Sequence, residues 1–340
     1  MEDLEDSESL TLAFGLLGWP SNKMGVDYNA VKLLLWGKKI GVSFERALTL
    51  GHQGFDCSPR RLRQAVRDFG LPGDRQAIDQ CFERIPMQGL YADGLLRFLG
   101  AREIVSVDKS DFEGATLLHD LNERFPESYR GRFTFVFDGG TLEHIFNYPA
   151  ALRNCLELLA NGGHFLTIVP AHSMMGHGFY QISPELFFRV FSAENGFALR
   201  QIVLYAAAKT DAAFFEVNDP AITGQRSGLV SKWPLLLGAL AQRTAGVPIL
   251  ARSPQQSDYA SAWERRRGAP ACPAEANAGL PWRIRTALNP YWPYWLRRWK
   301  QRLFYKFRER GGSSSLSNRA HFRRLSREEM FHGQDAAPPA

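Results

Sequence analysis

Between Arg46 and Ala208 the chain repeats one pattern: a short apolar run, then a helix-like segment closed by a glycine. Several of the runs, "FTFVFD" and "HFLTIVPA" among them, are short and continuous rather than alternating apolar with polar. Such a strand needs apolar side chains on both faces because helices cover both faces. Strands and helices that take turns at this spacing predict an α/β fold with a doubly wound, mostly parallel sheet. An α+β domain with an antiparallel sheet is the alternative, and it fits less well because almost every strand is followed by a helix.

Local signals place the elements. "RALTLGHQGF" reads as a strand that ends in a glycine turn. "SPRRLRQAVRDFG" reads as a helix with Ser58 as N-cap, Pro59 at its first position and Gly70 as its stop. "YADGLLRFLG" is a second helix, "EIVSVDKS" a strand ending at Asp108, and "ATLLHDLN" a short strand or its exit. "NYPAALRNCLELLANGG" reads as a helix with a glycine stop, and "SPELFFRVFSAENG" as a helix capped by Ser183. The four residues "TLEH" are read as the start of the helix that follows "FVFDGG". Residues 1–45 form a lead-in with one helix, "YNAVKLLLWGKKIGVSF". Residues 46–250 form the doubly wound domain, with "AAFFEVND" as a further strand and the stretch around "WPLLLGAL" as strand or helix. Residues 251–280 read as a linker or loose surface, and 311–340 as a disordered tail.

The charge is unevenly placed. The chain carries a formal +6, yet segment 281–310 alone has nine Lys or Arg and one Glu, a net +8. Taking +8 from +6 leaves −2 for the rest, so a whole-protein nucleic-acid footprint is not indicated. In that segment Trp292, Trp295, Leu296, Trp299, Leu303 and Phe307 fall at helical spacing, with basic residues between them. Three readings stand: a basic amphipathic helix on an anionic membrane surface, a helix packed on its own domain, and, ranked below both, a nucleic-acid contact. The four cysteines are far apart and form no CxxC pair, which points to a reducing compartment and gives no thiolate metal site. The acidic start lacks the positive flank of a secretory signal, and no apolar run reaches a membrane span of about 20 residues. The expectation is a cytoplasmic protein, peripheral at the inner membrane face under the first of the three readings.

In an open parallel sheet, ligands bind outside the carboxyl ends of the strands. The residues there are Gly51-His52-Gln53-Gly54, Asp108-Lys109-Ser110, Asp120-Leu121-Asn122, Asp138-Gly139-Gly140 and Pro170-Ala171-His172. Three of the five sets begin with aspartate. A carboxylate at the second-strand exit offers two acceptors to a vicinal diol, which suits Asp108 to a ribose; a turn cap is the equal alternative. Glycines at the first and fourth exits let a ligand approach the backbone.

These residues resemble a family. "FVFDGGTLEHIFNYPAALRNCLELLANGGHFLTIVP" is similar to the second half of class I S-adenosylmethionine-dependent methyltransferases, and "VSVDKS" and "HDLN" resemble their second- and third-strand motifs. The resemblance covers roughly residues 46–205. It implies a Rossmann-like methyltransferase fold with S-adenosylmethionine as cofactor. Donor contacts would fall on Gly51, His52, Gln53, Asp108, Lys109, Asp120, Leu121, Asp138 and Gly139. Family members usually carry an E/DxGxGxG loop after the first strand, where this chain has Leu50-Gly51-His52-Gln53-Gly54. Either His52 and Gln53 make side-chain contacts in a variant loop, or the fold has lost the donor and serves as a scaffold. "GHGFYQISPELFFRVF" also resembles a subgroup found among bacterial cell-surface polysaccharide genes. The implied acceptor is a small molecule or a glycan precursor. A sulfonium donor is already activated, so the protein has to position the acceptor and supply a base if that acceptor is a hydroxyl. The candidate bases are Glu143, His144 and the pair His172/His177, with Tyr180 nearby, and no metal is assigned.

Removing residues 290–310 should abolish co-sedimentation of the protein with anionic liposomes; equal pelleting of both forms would end the membrane reading.

Overall fold

The computed structural model describes residues 25–83, 90–224, 226–231, 233–266, 293, 296, 298, 299 and 315–332. Apart from those four isolated positions, the basic segment 281–310 lies outside the described residues, as do 1–24 of the lead-in.

Among the described residues the main sheet has nine strands. In chain order its strands are β2 (Arg46–Leu50), β4 (Glu103–Asp108), β5 (Leu117–Leu118), β6 (Phe133–Asp138), β7 (Leu159–His172), β8 (Phe197–Ala206), β9 (Phe215–Val217), β10 (Leu235–Arg243) and β11 (Phe322–Arg324). In space they run β11-β9-β8-β10-β7-β6-β2-β4-β5. The half from β5 to β7 is parallel throughout. β10 lies antiparallel between β7 and β8, and β9 and β11 complete an antiparallel edge. A two-residue pair, β1 (Val26–Asp27) and β3 (Phe55–Asp56), stands apart from this sheet. The doubly wound α/β expectation holds, with a parallel half of four pairings joined to an antiparallel half of four, and β10 resolving the strand-or-helix alternative toward strand.

Both faces of the sheet are buried, as the continuous apolar runs require. Ala47, Phe135, Phe137, Leu166 and Val203 belong to one core layer, while Leu48, Val136, Phe165 and Leu204 belong to the other. Neighbouring residues of one strand feed opposite layers, which is the period-2 geometry of an extended chain. The first layer is covered by α1 (Tyr28–Lys39), α2 (Pro59–Asp68), α3 (Arg75–Gln80) and α4 (Asp93–Phe98). The second is covered by α5 (Tyr148–Leu158) and α6 (Pro184–Val190). α2, α3 and α4 fill the long interval between β2 and β4. Ser58 caps α2 by accepting from the Arg61 N–H.

The helix of the lead-in is a core element. Every residue of α1 from Tyr28 to Gly37 is buried. Gly238 of β10 lets it come close, since a Cβ there would lie 2.9 Å from Leu33 Cδ1. Asn29, fully buried, donates to Lys209 O (2.8 Å) and accepts from Ala212 N (3.0 Å), which ties α1 to the segment after β8. Residues 315–332 also depart from the expectation of a disordered tail. Phe322, Leu325 and Met330 are buried, β11 pairs with β9, and α7 (Pro220–Thr223), α8 (Ser257–Arg266) and α9 (Arg327–His332) lie along this half of the chain. The apolar spacing of so short a stretch is too brief to announce a strand, and its partner lies more than a hundred residues upstream. Among the described residues no helix is long and apolar enough to cross a membrane.

His164, near the start of the buried part of β7, is itself buried, and its Nδ1 has no hydrogen-bond partner. Burial, then the nearby Arg200, hold its pKa down at about 4. A histidine whose folded pKa is depressed contributes stability above about pH 6.5 that is lost as pH falls toward 4. Between pH 7 and pH 5 the wild type should therefore lose about 2 kcal/mol more than a His164→Gln variant, as read by urea denaturation at the two pH values.

Candidate functional site

Strand order reverses at β2, with β4 and β5 on one side and β6 and β7 on the other. The crevice outside the carboxyl ends of β2, β4 and β6 is therefore where a ligand fits a sheet of this kind.

At the exit of β2, Gly51 has φ +71, a conformation that favours glycine, and its N–H donates to Val107 O (2.7 Å). A Cβ on Gly51 would stand 3.3 Å from Thr141 Oγ1, 3.6 Å from Gln53 Nε2 and 3.8 Å from Asp108 Oδ2. Three strand exits thus bring polar atoms to one backbone position that lacks a side chain. Asp108 Oδ1 accepts from the Ser110 N–H (3.2 Å), the Asx-turn bond, while Oδ2 is the oxygen turned toward Gly51.

The side chains of His52 and Gln53 are engaged with the protein itself. His52 is buried, its Nδ1 lies 2.8 Å from Glu113 O, and its Nε2 lies 2.9 Å from Asp93 Oδ2. Its ring stacks on Tyr91 at 3.5 Å between centroids. Burial alone would lower the His52 pKa. The bond to Asp93, the Glu113 carbonyl and the Asp93 charge outweigh it, so the pKa rises, as suits a ring with acceptors at both nitrogens. Gln53 donates from Nε2 to Leu50 O, and its Oε1 is buried with no partner. That oxygen sits where Gly139 lacks a side chain: a Cβ on Gly139 would lie 2.3 Å from it.

Lys109 and Asp120 meet each other at 2.8 Å across the exits of β4 and β5. The bond from Lys109, then those from the Asn122 N–H and side-chain amide, hold the Asp120 carboxyl well below its usual range. Leu121 is buried in the core layer under α5.

Asp138 is an internal acceptor. Fully buried, its Oδ1 accepts from Thr141 N (2.9 Å) and Leu142 N (3.2 Å), and its Oδ2 accepts from Thr167 Oγ1 (2.7 Å). Burial and then the neighbouring Glu143 charge push its pKa well above the usual carboxylate range, against the pull of those three bonds. The expected ligand contact at Asp138 is thus replaced by a turn-holding role, and the helix that "TLEH" was expected to open begins later. Leu142–His144 form a single 3₁₀ turn, and α5 starts at Tyr148. Pro149 explains this: deep inside a helix begun at Thr141 it would remove a hydrogen bond, whereas in the first turn it removes none.

The candidate bases gather on the far side of that turn. Glu143 is fully buried, and neither carboxylate oxygen has a hydrogen-bond partner. His177 Nε2 lies 3.4 Å from Glu143 Oε1, and His144 Nε2 lies 4.0 Å from it. His172 is elsewhere: its Nε2 accepts from Ser231 N (3.1 Å), so the expected pairing of His172 with His177 is not formed. Tyr180 donates its hydroxyl to Phe146 O (2.7 Å). The residues that reading the sequence missed are Thr141, Thr167, Asp93, Glu113 and Tyr91. Thr141 lies within "DGGTLEH" and was open to notice; the others carry no local signal, because their partners are distant in the chain.

No protein-family model and no curated protein matches the chain. Solved structures with a related arrangement include the 1,6-didemethyltoxoflavin-N1-methyltransferase of Burkholderia thailandensis, bound to 1,6-didemethyltoxoflavin and S-adenosylhomocysteine. It is 14% identical over 72% of this chain and 90% of that one, with a TM-score of 0.36. The branched-chain polyamine synthase of Thermus thermophilus is 16% identical over 68% and 60%, with a TM-score of 0.31. A 16S rRNA (adenine(1408)-N(1))-methyltransferase variant of Catenulisporales acidiphilia is 11% identical over 62% and 91%, with a TM-score of 0.31. At these values the likenesses add nothing to the fold read from the strand order.

Gly139→Ala should cost about 1–3 kcal/mol, the usual range for overpacking. Gln53→Ala in the same chain should recover most of that loss, which a double-mutant cycle by chemical denaturation measures.

Proposed function

We propose that the protein is a methyltransferase that takes its methyl group from S-adenosylmethionine and passes it to a hydroxyl-bearing small molecule or glycan precursor. The observation that carries this reading is the meeting at the strand-order reversal of Asp108 Oδ2, the side-chain-free Gly51 and Gln53, whose Oε1 has no hydrogen-bond partner. This set fits the donor. Asp108 offers an acceptor to ribose hydroxyls, and Gln53 Oε1, a buried acceptor lacking a donor, suits an ammonium group. When bound, S-adenosylmethionine supplies an activated methyl carbon, so the chain has to orient the acceptor and exclude water.

The residues of the chain divide that work. His52, pinned to Asp93 and Glu113, fixes the β2 exit against the start of α4. Asp138 and Thr167 hold the 3₁₀ turn, which sets Glu143 and His144 beside the loop that brings His177. Glu143 and His177 are the groups for a proton leaving an acceptor hydroxyl. Phe146 and Phe179, both largely exposed and edge-on to each other at 6.2 Å, flank those groups in sequence and offer an apolar platform to an acceptor.

A second reading is a scaffold that keeps the fold without the donor. It is favoured by the way Gln53 occupies the space over Gly139. Calorimetry separates the two. Wild type should bind S-adenosylmethionine, and Asp108→Ala should weaken binding about 10- to 100-fold, as expected for bonds to a charged acceptor. Absence of binding heat from the wild type would favour the scaffold.

A further inference from the structure

We propose that Glu143, His144 and His177 form a mononuclear site for a divalent transition metal. The first observation is the donor set. One carboxylate oxygen and two imidazole nitrogens lie within 4.8 Å of one another, the one such grouping of three found among the described residues. The second is the state of Glu143. It is wholly buried, and both oxygens lack a donor. A buried carboxylate without a partner is costly, and such groups are paired or ligate metals. His177 is only 13% exposed, and its Nε2 is likewise buried and without a hydrogen bond. Although 3.4 Å from Glu143 Oε1, that nitrogen makes no hydrogen bond to it, and Glu143 Oε2 stays unpartnered in any case. A cation between them would satisfy Glu143 Oε1 and His177 Nε2 at once and offset the buried charge of the carboxylate.

The backbone holds the ligands in place from two distant segments. Glu143 O accepts from Phe179 N (2.8 Å) and Tyr180 N (3.3 Å), so the loop after β7 is bonded directly to the 3₁₀ turn. Gly178 permits this approach, since a Cβ there would lie 2.9 Å from both Glu143 Cγ and Glu143 O. Ser173, at φ +56, starts the loop in a conformation uncommon for residues other than glycine. Met174 then receives the His177 N–H (3.1 Å) on its carbonyl, and its own N–H donates to Gln181 Oε1 (2.8 Å). Glu143 and His177 are thereby set against each other. His144, whose side chain is 47% exposed, has the freedom to swing the remaining distance to a shared ion.

Donor chemistry selects the metal class. Two imidazoles and one carboxylate suit Zn²⁺, Co²⁺, Fe²⁺ or Ni²⁺, whereas Mg²⁺ and Ca²⁺ prefer all-oxygen sites. Three protein ligands leave a coordination position open, the arrangement of catalytic rather than structural metals. An oxygen ligand in that position would be acidified by the ion, which in the metal-bound protein would take over from Glu143 and His177, then ligands, the task of easing a proton off an acceptor hydroxyl. Use of the site to hold an acceptor hydroxyl rests on the methyl-transfer reading; binding of the metal does not.

The test uses the untagged full chain, stripped with chelator and titrated with Co²⁺ and Zn²⁺. One equivalent of Co²⁺ should bind with the visible absorption of a four- or five-coordinate site, and Zn²⁺ should displace it. Glu143→Gln and His177→Ala should weaken binding at least about 100-fold, more than the 10- to 100-fold typical of lost outer-sphere partners. His119→Ala, a histidine away from the cluster, should leave it unchanged. Circular dichroism checks that each variant folds, and the half-exposed His144→Ala serves where a buried variant does not. Failure of the wild type to take up one equivalent would overturn the site, as would undiminished binding in folded Glu143→Gln, His177→Ala or His144→Ala. Because this measurement needs no S-adenosylmethionine, its outcome is separate from the calorimetry of donor binding.

Discussion

The crevice depends on a single buried carboxylate. Asp138 ends the central strand β6 and gathers two backbone N–H groups of its own turn and the hydroxyl of Thr167 on the neighbouring strand. Those bonds bend the chain sharply at the strand exit and set the 3₁₀ turn that carries Glu143 and His144. The loop after β7 is then bonded to the Glu143 carbonyl, which brings His177 into place. Loss of the Asp138 oxygens would leave three largely buried donors unpaired, a penalty of a few kcal/mol, and would loosen the turn that Thr141 Oγ1 also ties to Leu50 O of β2.

That carboxylate sits in an unusual electrostatic setting. Asp138 and Glu143 are both fully buried, and the charge of Glu143 adds to burial in raising the Asp138 pKa. Two neighbouring buried carboxylates resist carrying two charges together. Either a proton is retained or a cation is supplied. The two histidines beside Glu143, one protected and one half-exposed, provide a route to the second solution. A perturbed acid such as Asp138 is found at functional sites more often than in structural cores, which agrees with its place at a strand exit of the sheet.

The other half of the crevice is organised by side chains that turn inward. His52 and Gln53 take the positions of the "LGHQG" turn that a ligand would approach, yet each is held by the protein: His52 by Asp93, Glu113 and Tyr91, Gln53 by Leu50. Lys109 and Asp120 likewise satisfy each other. What remains is Asp108 Oδ2 beside Gly51, and Gln53 Oε1, which has no hydrogen-bond partner, a smaller set than the strand-end residues taken together.

The sequence by itself determined the parallel half of the sheet and most of the helices packed on it. Continuous apolar runs, Ser58 and Ser183 as caps and glycines after helices are local signals, and local physics reads them: both faces of β6 are buried because both are apolar. It also placed Asp108, Asp138, Glu143 and His177 near the ligand side of the sheet, since strand exits of a parallel sheet share one edge. Only the tertiary structure decided what each of these does. Whether Asp138 faces a ligand or a turn depends on Thr167, 29 positions away. Whether His177 joins His172 or Glu143 depends on how one loop packs on another. The late start of α5, the core position of α1 and the pairing of β11 with β9 have the same cause: contacts between segments distant in the chain override the preferences of short stretches, and these are set only when the whole sheet closes.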